Sequence, residues 1–304
     1  MTPAADDRLI IKQSLARHLI NSQFPQWRDL ALQSIPINGW DNVTFRLGDQ
    51  MKVKFPTAER YAAQVAKEHR WLPYLAASLK IKIPSPVAVG KPDEHYRFPW
   101  AIQTWIAGDL ASSENVPDLI SLAMELAEFL LALQRVPAGS GPPPGEHNFF
   151  RGGSLQVYDS ETRECLDRLK GELDRETATA VWETALASSF NAAGCWVHGD
   201  VAPNNLLVVD GHLEAVIDFG CSAVGDPACD LVIAWTLFEG ESRDAFHSTI
   251  GANREMWARA RGWALWKAVL QLSAQSGKGS GSPGVGARLH RLINDLLSEC
   301  RQEK

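Results

Sequence analysis

The sequence has few cysteines and no apolar run long enough to cross a membrane. The five cysteines among 304 residues are odd in number and include no Cys-x-x-Cys pair, so neither a disulfide framework nor a zinc site is indicated. No apolar run approaches the ~18 residues of a membrane-spanning helix. The first residues, "MTPAADDRLIIK", are acidic where a signal peptide would be basic. We therefore expect a protein that acts in the cytoplasm and has no membrane partner.

The sequence also lacks an excess of positive charge. Thirty Lys and Arg residues stand against 36 Asp and Glu residues, which gives a net charge of −6. Nucleic acid is thereby disfavoured as a partner, because phosphate backbones attract surfaces rich in Lys and Arg. A small-molecule partner, including a cationic one, is compatible with this sign.

The periodicity of apolar residues predicts an α+β protein of two lobes. In the first half, "NVTFRLG" and "MKVKF" alternate as a hairpin, and "IKIPSPVAVG" and "FPWAIQTWIAG" read as further strands. Helices are predicted over 6–20 and from about Thr57, the second ended or kinked by Pro73. We expect a small β-rich N-terminal lobe over 1–106, with a ligand bound where it meets the next lobe.

The second half is predicted to be mainly helical and to form a larger C-terminal lobe over 107–304. Its predicted helices cover 117–136, much of 159–191, 227–239, 242–273 and 287–301. Residues 276–286 read as a flexible connection; they include "GSGSPG" at 279–284, which we reject as a dinucleotide motif because a helical pattern precedes it. Three tryptophans near 257–266 indicate helix packing more than a stacking platform.

The segment "WVHGDVAPNNLLVVDGHLEAVIDFG" at 196–220 interrupts the helical pattern with a hairpin. Asp210-Gly211 is a strong signal for a two-residue turn. With this turn, the numbers of facing residues sum to 421, so Asn205 faces Val216. Asn205 and Asp218 then become diagonal neighbours, roughly 7–8 Å apart. Carboxylate and amide oxygens suit Mg²⁺, so we predict that these two side chains hold this ion.

Asp200 precedes the hairpin, with His198 two residues earlier. A carboxylate beside a metal-bound phosphate can accept the proton of an incoming hydroxyl, which is what phosphoryl transfer requires. Asn, Asp, Gly and Pro also occur in turns for conformational reasons alone. The complete set of His-Gly-Asp, an Asn five residues after the Asp, a hairpin and Ile-Asp-Phe-Gly favours the catalytic interpretation.

These motifs resemble those of the aminoglycoside phosphotransferases, within the wider protein-kinase-like fold. "HGDVAPNNLLV" and "IDFG" are similar to their catalytic and metal loops; "GDPACDLVIAW", "GWDNVTFRLG", "KEHRWLPYLA" and "FRGGSL" extend the likeness over residues 35 to 240. The resemblance implies a bilobed kinase-like fold and transfer of the γ-phosphoryl of ATP or GTP to a hydroxyl. It makes Asp200 the catalytic base, Asn205 and Asp218 the Mg²⁺ ligands, and His198 and Asp230 supports of the catalytic loop.

The resemblance also implies that the first lobe contains a nucleotide-binding site. Lys52 and Lys54 share the polar face of one strand, and the resemblance favours Lys54 as the phosphate ligand. Glu68 lies on the apolar stripe of its predicted helix, where a carboxylate needs a partner, so we predict a Lys54–Glu68 ion pair. Backbone groups at Thr104, Trp105 and Ile106 are expected to hold the base.

The sequence leaves the acceptor open. Aminoglycosides are polycations, and Glu239, Glu241 and Asp244 follow the catalytic unit, where they could meet such a substrate or simply begin a helix. An antibiotic kinase for aminoglycosides is our first hypothesis. The alternatives are a kinase for a macrolide, a choline-like compound or another metabolite, and a non-catalytic nucleotide-binding relative.

Overall fold

A region dominated by strands is followed along the chain by one dominated by helices. The computed structural model describes residues 7–35, 39–276 and 284–302. The first region contains α1 (Gln13–Gln23), β1 (Leu32–Ser34), β2 (Asn42–Leu47), β3 (Met51–Pro56), α2 (Glu59–Ala76), β4 (Pro86–Gly90) and β5 (Trp100–Thr104). The second contains β6 (Asp109–Leu110), α3 (Leu119–Arg135), α4 (Asp159–Arg168), α5 (Arg175–Ala187), β7 (Cys195–Val197), β8 (Leu206–Val209), β9 (His212–Val216), β10 (Ala223–Gly225), α6 (Ile233–Thr236), α7 (Gly240–Ile250), α8 (Arg254–Ser276) and α9 (Val285–Gln302).

The N-terminal region is built on an antiparallel sheet in the order β1-β2-β3-β5-β4. The predicted hairpin is confirmed, with β2 paired to β3 from Asn42↔Pro56 to Leu47↔Met51. Alternating apolar side chains such as Phe45 and Phe55 face a core in which the Phe55 and Trp100 rings stack 5.0 Å apart. The helix α2 contacts strands β3, β4 and β5 and carries Glu68 toward them.

The C-terminal region is a helical assembly in which α3 packs on α7 and α5 packs on α8. Trp257, Trp263 and Trp266 on α8 are all buried, so the packing interpretation of these residues is confirmed. No helix among the described residues is long and apolar enough to cross a membrane. The predicted α+β class, with a β-rich first region and a helical second region, is also confirmed.

The first predicted helix begins later than expected. Residues 7–12 are not helical, and α1 starts at Gln13 and continues to Gln23. The N–H of Leu9 donates to the carbonyl of Thr57 at 2.7 Å, so this segment satisfies its backbone against the end of β3 instead of within a helix. The prediction over 6–20 is therefore wrong in its first half.

Two helix boundaries differ because of single residues. The helix α2 continues through Pro73 to Ala76, since proline removes only one hydrogen bond near a helix end. The predicted helix over 242–273 is two helices, because Gly251 adopts a φ of 66° and closes α7 as a left-handed cap. The glycine-rich motif at 279–284 lies outside the described residues except for Gly284, as does most of the predicted connection at 276–286.

Candidate active site

The turn of the central hairpin has the geometry that Asp210-Gly211 predicts. Asp210 and Gly211 have φ values of 52° and 83°, as a tight hairpin requires. Next to the turn the predicted register holds, with Val208 opposite Leu213. Beyond it, Leu206 pairs with Val216, because β9 carries one extra residue, Glu214.

This bulge corrects the predicted position of the metal ligands. Asn205 lies opposite Ile217, whose N–H donates to the Asn205 carbonyl at 2.9 Å, and not opposite Val216. Neither residue lies in a regular strand: Asn205 ends the 3-10 turn Pro203–Asn205, and Asp218 is left-handed, with φ 67° and ψ 68°. The two side chains nevertheless line the same cleft. Loop geometry brings them there, and the strained backbone of Asp218 is typical of a functional residue.

The buried carboxylate of Asp230 fixes the loop that carries Asp200. Its two oxygens accept the N–H groups of His198 and Gly199 at 2.8 and 2.7 Å. The imidazole of His198 also fixes this loop. Its Nε2 lies 3.0 Å from the Ile217 carbonyl, and its Nδ1 accepts the N–H of Asp200 at 3.2 Å. Because a carbonyl only accepts, Nε2 carries a proton, and this contact fixes the orientation of the ring. Burial raises the pKa of Asp230 despite these donors.

Gly199 allows the catalytic and metal loops to touch. Its φ is 83°, and a Cβ at this position would lie 2.3 Å from the Cys221 carbonyl oxygen. Only glycine fits here, because both the backbone conformation and the close approach exclude a side chain.

The side chains of Asp200 and Asn205 are placed by direct contacts. Asn205 Nδ2 donates to the Asp200 carbonyl at 2.9 Å, and Asn205 Oδ1 accepts from Asn204 Nδ2 at 3.4 Å, which leaves its second lone pair for a cation. The carboxylate of Asp200 is one third exposed, and its Oδ1 is 2.7 Å from Lys267 Nζ. Desolvation raises the pKa of Asp200, but Lys267, with help from Arg151, outweighs it and lowers that pKa to about 2. Asp200 is therefore ionised, as a proton acceptor must be.

Lys54 joins the sheet to the metal loop. Its Nζ lies 3.1 Å from Glu68 Oε2, which confirms the predicted ion pair, and 2.9 Å from Asp218 Oδ1. Gln103 Nε2 donates to the same Glu68 oxygen at 3.0 Å. Desolvation disfavours the charge on Lys54, but its two carboxylate partners raise its pKa above the usual value. Burial raises the pKa of Asp218, and Lys54 outweighs this and lowers it.

A cleft of about 380 Å³ runs between the sheet and the central hairpin. Its lining brings together most of the predicted cofactor and metal residues: Lys54, Thr104, Trp105, Ile106, Asn205 and Asp218. Lys52 also lines it; burial and the neighbouring Lys54 lower the pKa of Lys52 to about 8. Glu68 stands behind Lys54, 4% exposed, and acts on the cleft through it.

The donor set suits Mg²⁺. Among the described residues no cluster of three His, Cys, Asp or Glu could hold a metal ion. Mg²⁺ does not require one, because it usually keeps water and phosphate oxygens beside one or two protein ligands. The Asn205 amide oxygen and the Asp218 carboxylate at the mouth of one cleft fit that demand.

Three polar residues near the site were missed from the sequence. Asp41, in the loop before β2, has its pKa raised to about 6 by burial and by repulsion from Asp218. Lys267 on α8 and Arg151 in the loop before α4 share a recess with Asp200. Lys267 is a lone charge in the apolar run "WALWKAV", which is the one signal that could have found it.

The acids predicted to meet a cationic substrate lie elsewhere. Glu239, Glu241 and Asp244 are exposed at the start of α7. None of them belongs to the described residues that line the cleft or the recess beside Asp200.

Comparison with known proteins identifies the family and the fold. A model of the phosphotransferase enzyme family, APH, matches residues 33–263. Wild-type aminoglycoside 2′-phosphotransferase-IIIa in its GDP complex is similar with a TM-score of 0.71 at 19% identity, over 95% of this chain and 100% of that chain. APH(2″)-IIa in complex with gentamicin is similar with a TM-score of 0.64 at 20% identity, over 95% of this chain and 97% of that chain. A type I macrolide 2′-phosphotransferase is similar with a TM-score of 0.59 at 17% identity, over 95% of this chain and 98% of that chain.

No curated protein sequence matches the chain. At identities of 20% or less, the solved structures establish the fold alone, while the family model covers most of the chain. The resemblance seen in the sequence motifs is thereby confirmed. The chain has the kinase-like fold of the aminoglycoside phosphotransferases and belongs to the phosphotransferase enzyme family.

Proposed function

We propose that this protein transfers the γ-phosphoryl group of ATP or GTP to a hydroxyl of a small molecule. The observation that carries the proposal is a connected set of four side chains: Lys54, Asn205 and Asp218 line the cleft, and Asp200 adjoins them through its contact with Asn205. A proton acceptor, two oxygen ligands for a cation and a fixed ammonium are the parts that phosphoryl transfer uses. The solved relatives in complex with GDP and ADP support a nucleotide as the donor.

In this proposal the cleft binds the nucleotide between the two regions, with the division near residues 106 and 107. The N–H groups of Thr104 and Trp105 already donate to Ser85 and Gln50, so the Ile106 N–H is the donor left to hold the base. Lys54, held by Glu68, binds the phosphates. Asn205 and Asp218 hold Mg²⁺, which neutralises phosphate charge when it is bound.

Asp200 performs the proton transfer. The acceptor oxygen attacks the γ-phosphorus, the bond from that phosphorus to the β-γ bridging oxygen breaks, and the hydroxyl proton passes to Asp200. The products are a phosphate monoester and the nucleoside diphosphate. His198 and Asp230 hold the loop in place and take no part in the chemistry.

Two acceptor classes follow from different observations. Aminoglycosides are supported by family membership and by the relative bound to gentamicin, and would give the protein a role in antibiotic resistance. Glu239, Glu241 and Asp244 would then meet the amino groups. A hydroxyl compound without positive charge, such as a metabolite in the cytoplasm, is favoured by the two cations beside Asp200.

A coupled assay of nucleoside diphosphate release over a panel of hydroxyl compounds tests the proposal. We expect release that depends on Mg²⁺ and on one class of acceptor, and its loss in Asp200→Asn. Asp210→Asn, in the exposed hairpin turn where asparagine is equally suited, is the matched control and should keep full activity. Release that survives in Asp200→Asn would overturn the proposal.

The same panel separates an enzyme from a non-catalytic nucleotide-binding relative. Such a relative would bind nucleotide and release no diphosphate with any acceptor. For resistance, the protein is expressed in a sensitive bacterium that is then challenged with aminoglycosides and macrolides. Equal protection by wild type and Asp200→Asn would show that any protection arises without this site.

A further inference from the structure

Asp200 also borders a small recess of about 10 Å³, so a ligand would meet the side chains at its opening. It is lined by Arg151, Gly199, Asp200, Val201, Cys229, Val232, Trp263 and Lys267. Two of these side chains are cations, and Asp200 is the one carboxylate among the described lining residues. A polycationic acceptor that approached the base would therefore meet like charge.

The position of Lys267 beside Asp200 is not explained by the proton transfer that we propose for Asp200. Its Nζ lies 2.7 Å from Asp200 Oδ1 and makes that carboxylate a weaker base. An ammonium has three N–H donors, and this contact uses one of them. The side chain is 27% exposed, so the remaining donors can reach a ligand in the recess.

Arg151, the second cation of the recess, is positioned by contacts with aromatic rings and by its backbone. Its guanidinium lies over the Trp266 ring at 4.4 Å from the centroid and near the Trp263 ring at 5.5 Å. Its Nε is buried without a hydrogen-bond partner, and the half-buried guanidinium forms no ion pair among the described residues, so its charge is not neutralised by a carboxylate. The backbone that carries it is fixed, because Asn148 Nδ2 donates to the Arg151 carbonyl at 2.8 Å.

The other titratable groups around the recess do not cancel this charge. Burial raises the pKa of the Cys229 and Cys221 thiols, so both stay neutral. Glu161 lies beyond the indole layer, where its Oε2 accepts Trp266 Nε1 at 2.9 Å. The recess thus combines one ionised carboxylate with two cations.

We infer that the acceptor carries an anionic group, a carboxylate or a phosphate ester, which Lys267 and Arg151 bind while Asp200 faces the hydroxyl. This inference rests on the proposed function, because it names the acceptor class of the same site. An anion matches the free donors of an ammonium and a planar guanidinium, whereas a polyamine leaves them unpaired. Among the described residues, Arg151 forms no hydrogen bond or ion pair with Asp200 and is only the smaller of the two cationic influences on its pKa, so Arg151 is the acceptor-binding residue whose replacement disturbs the base least.

The test compares diphosphate release with four classes of hydroxyl compound on related carbon skeletons: glucuronate and gluconate, glucose 6-phosphate, glucose, and glucosamine with kanamycin. The wild type is expected to respond to the carboxylate or the phosphate arm, and the stronger arm identifies which anion the recess takes. For that acceptor, Arg151→Gln should raise KM about tenfold or more while kcat changes less than threefold.

Two further variants keep the result interpretable. Arg151→Lys retains the charge without the planar fork and should restore part of the affinity, which a loss of folding could not produce. Arg168→Gln, on the exposed surface of α4, is the matched control and should behave as wild type.

The outcomes separate this inference from the proposed function. Release that responds best to glucose or to the amines, or an unchanged KM in Arg151→Gln, overturns the inference and leaves the phosphotransferase intact. Release with none of the four classes, in a protein that binds Mg²⁺-nucleotide, counts against the proposed function and removes the inference with it.

Discussion

The nucleotide side and the acceptor side of Asp200 are built in different ways. The nucleotide side uses residues from short motifs on β3, α2 and the central hairpin, and its cation, Lys54, is paired to two carboxylates. The acceptor side takes Arg151 and Lys267 from distant parts of the chain, and the described contacts pair only Lys267, to the base itself. In the proposed function, the first side binds a constant partner, the nucleotide, and the second side selects the acceptor.

Removing the base should have the largest effect and should affect both sides together. Asp200→Asn keeps the size of the side chain and removes the proton acceptor, so kcat should fall by about 10²–10⁴-fold. Nucleotide affinity should change little, because Asp200 does not line the nucleotide cleft. Steady-state kinetics and titration calorimetry measure the two quantities; a loss of nucleotide binding would show that the two sides are not separable.

The comparison is sharpened by Lys54→Met. This variant should weaken nucleotide binding at least about tenfold, since a buried ion pair to phosphate is lost and Glu68 is left unpaired. Acceptor KM at saturating nucleotide should stay within about threefold of wild type, the opposite of the pattern expected for Arg151→Gln. Lys91→Met, at an exposed position, is the control. Equal effects on both substrates would contradict the division of the site.

A smaller effect is expected where the two sides share a support. Asp230→Asn keeps one acceptor for the N–H groups of His198 and Gly199 and turns an amide N–H₂ toward the other. We expect a loss of about 1–3 kcal/mol in the free energy of unfolding and a fall of about tenfold in kcat. Denaturant unfolding tests this beside Asp29→Asn, an exposed control. Unchanged stability would mean that Asp230 does not brace the loop.

The smallest effect concerns the tip of the central hairpin. His212 Nδ1 lies 2.7 Å from Glu125 Oε1 on α3, and this partner raises the pKa of His212. A raised pKa of a folded histidine gives stability that is present below its unfolded pKa of about 6.5 and is lost as pH rises through the folded value.

Glu125→Gln should therefore lower Tm by about 1 °C more at pH 5.5 than at pH 9. Glu125 also accepts the N–H of Leu213 at 2.7 Å, so a part of the loss that does not depend on pH should remain. A difference that grows with pH would contradict the assigned pair.

Local patterns in the sequence were sufficient for the strands, helix and turn that surround the cleft, whereas the family resemblance chose Lys54 over Lys52. The alternation of β2 and β3, the stripe that carries Glu68 and the turn at Asp210-Gly211 all depend on neighbouring residues. The Lys54–Glu68 contact spans only 14 positions and follows from one strand and the next helix.

The register of the central hairpin and the position of Lys267 could not be predicted, because they depend on a backbone irregularity and on long-range packing. The bulge at Glu214 shifts the facing residues by one, and no alternation of apolar residues signals it. Lys267 lies 67 positions from Asp200 in the sequence. The two side chains meet because α8 packs on the 3-10 helix Pro227–Val232. A sequence pattern cannot place that helix, so Lys267 and Arg151 were missed, and Glu239, Glu241 and Asp244 were the only acceptor-side residues that the sequence indicated.

The most direct test of the site is a crystal structure with Mg²⁺ and a non-hydrolysable nucleoside triphosphate. We expect the metal on the Asn205 amide oxygen and the Asp218 carboxylate, Lys54 on the phosphates, and the γ-phosphorus facing Asp200. A nucleotide bound in that cleft with its phosphates turned away from these residues would contradict the account.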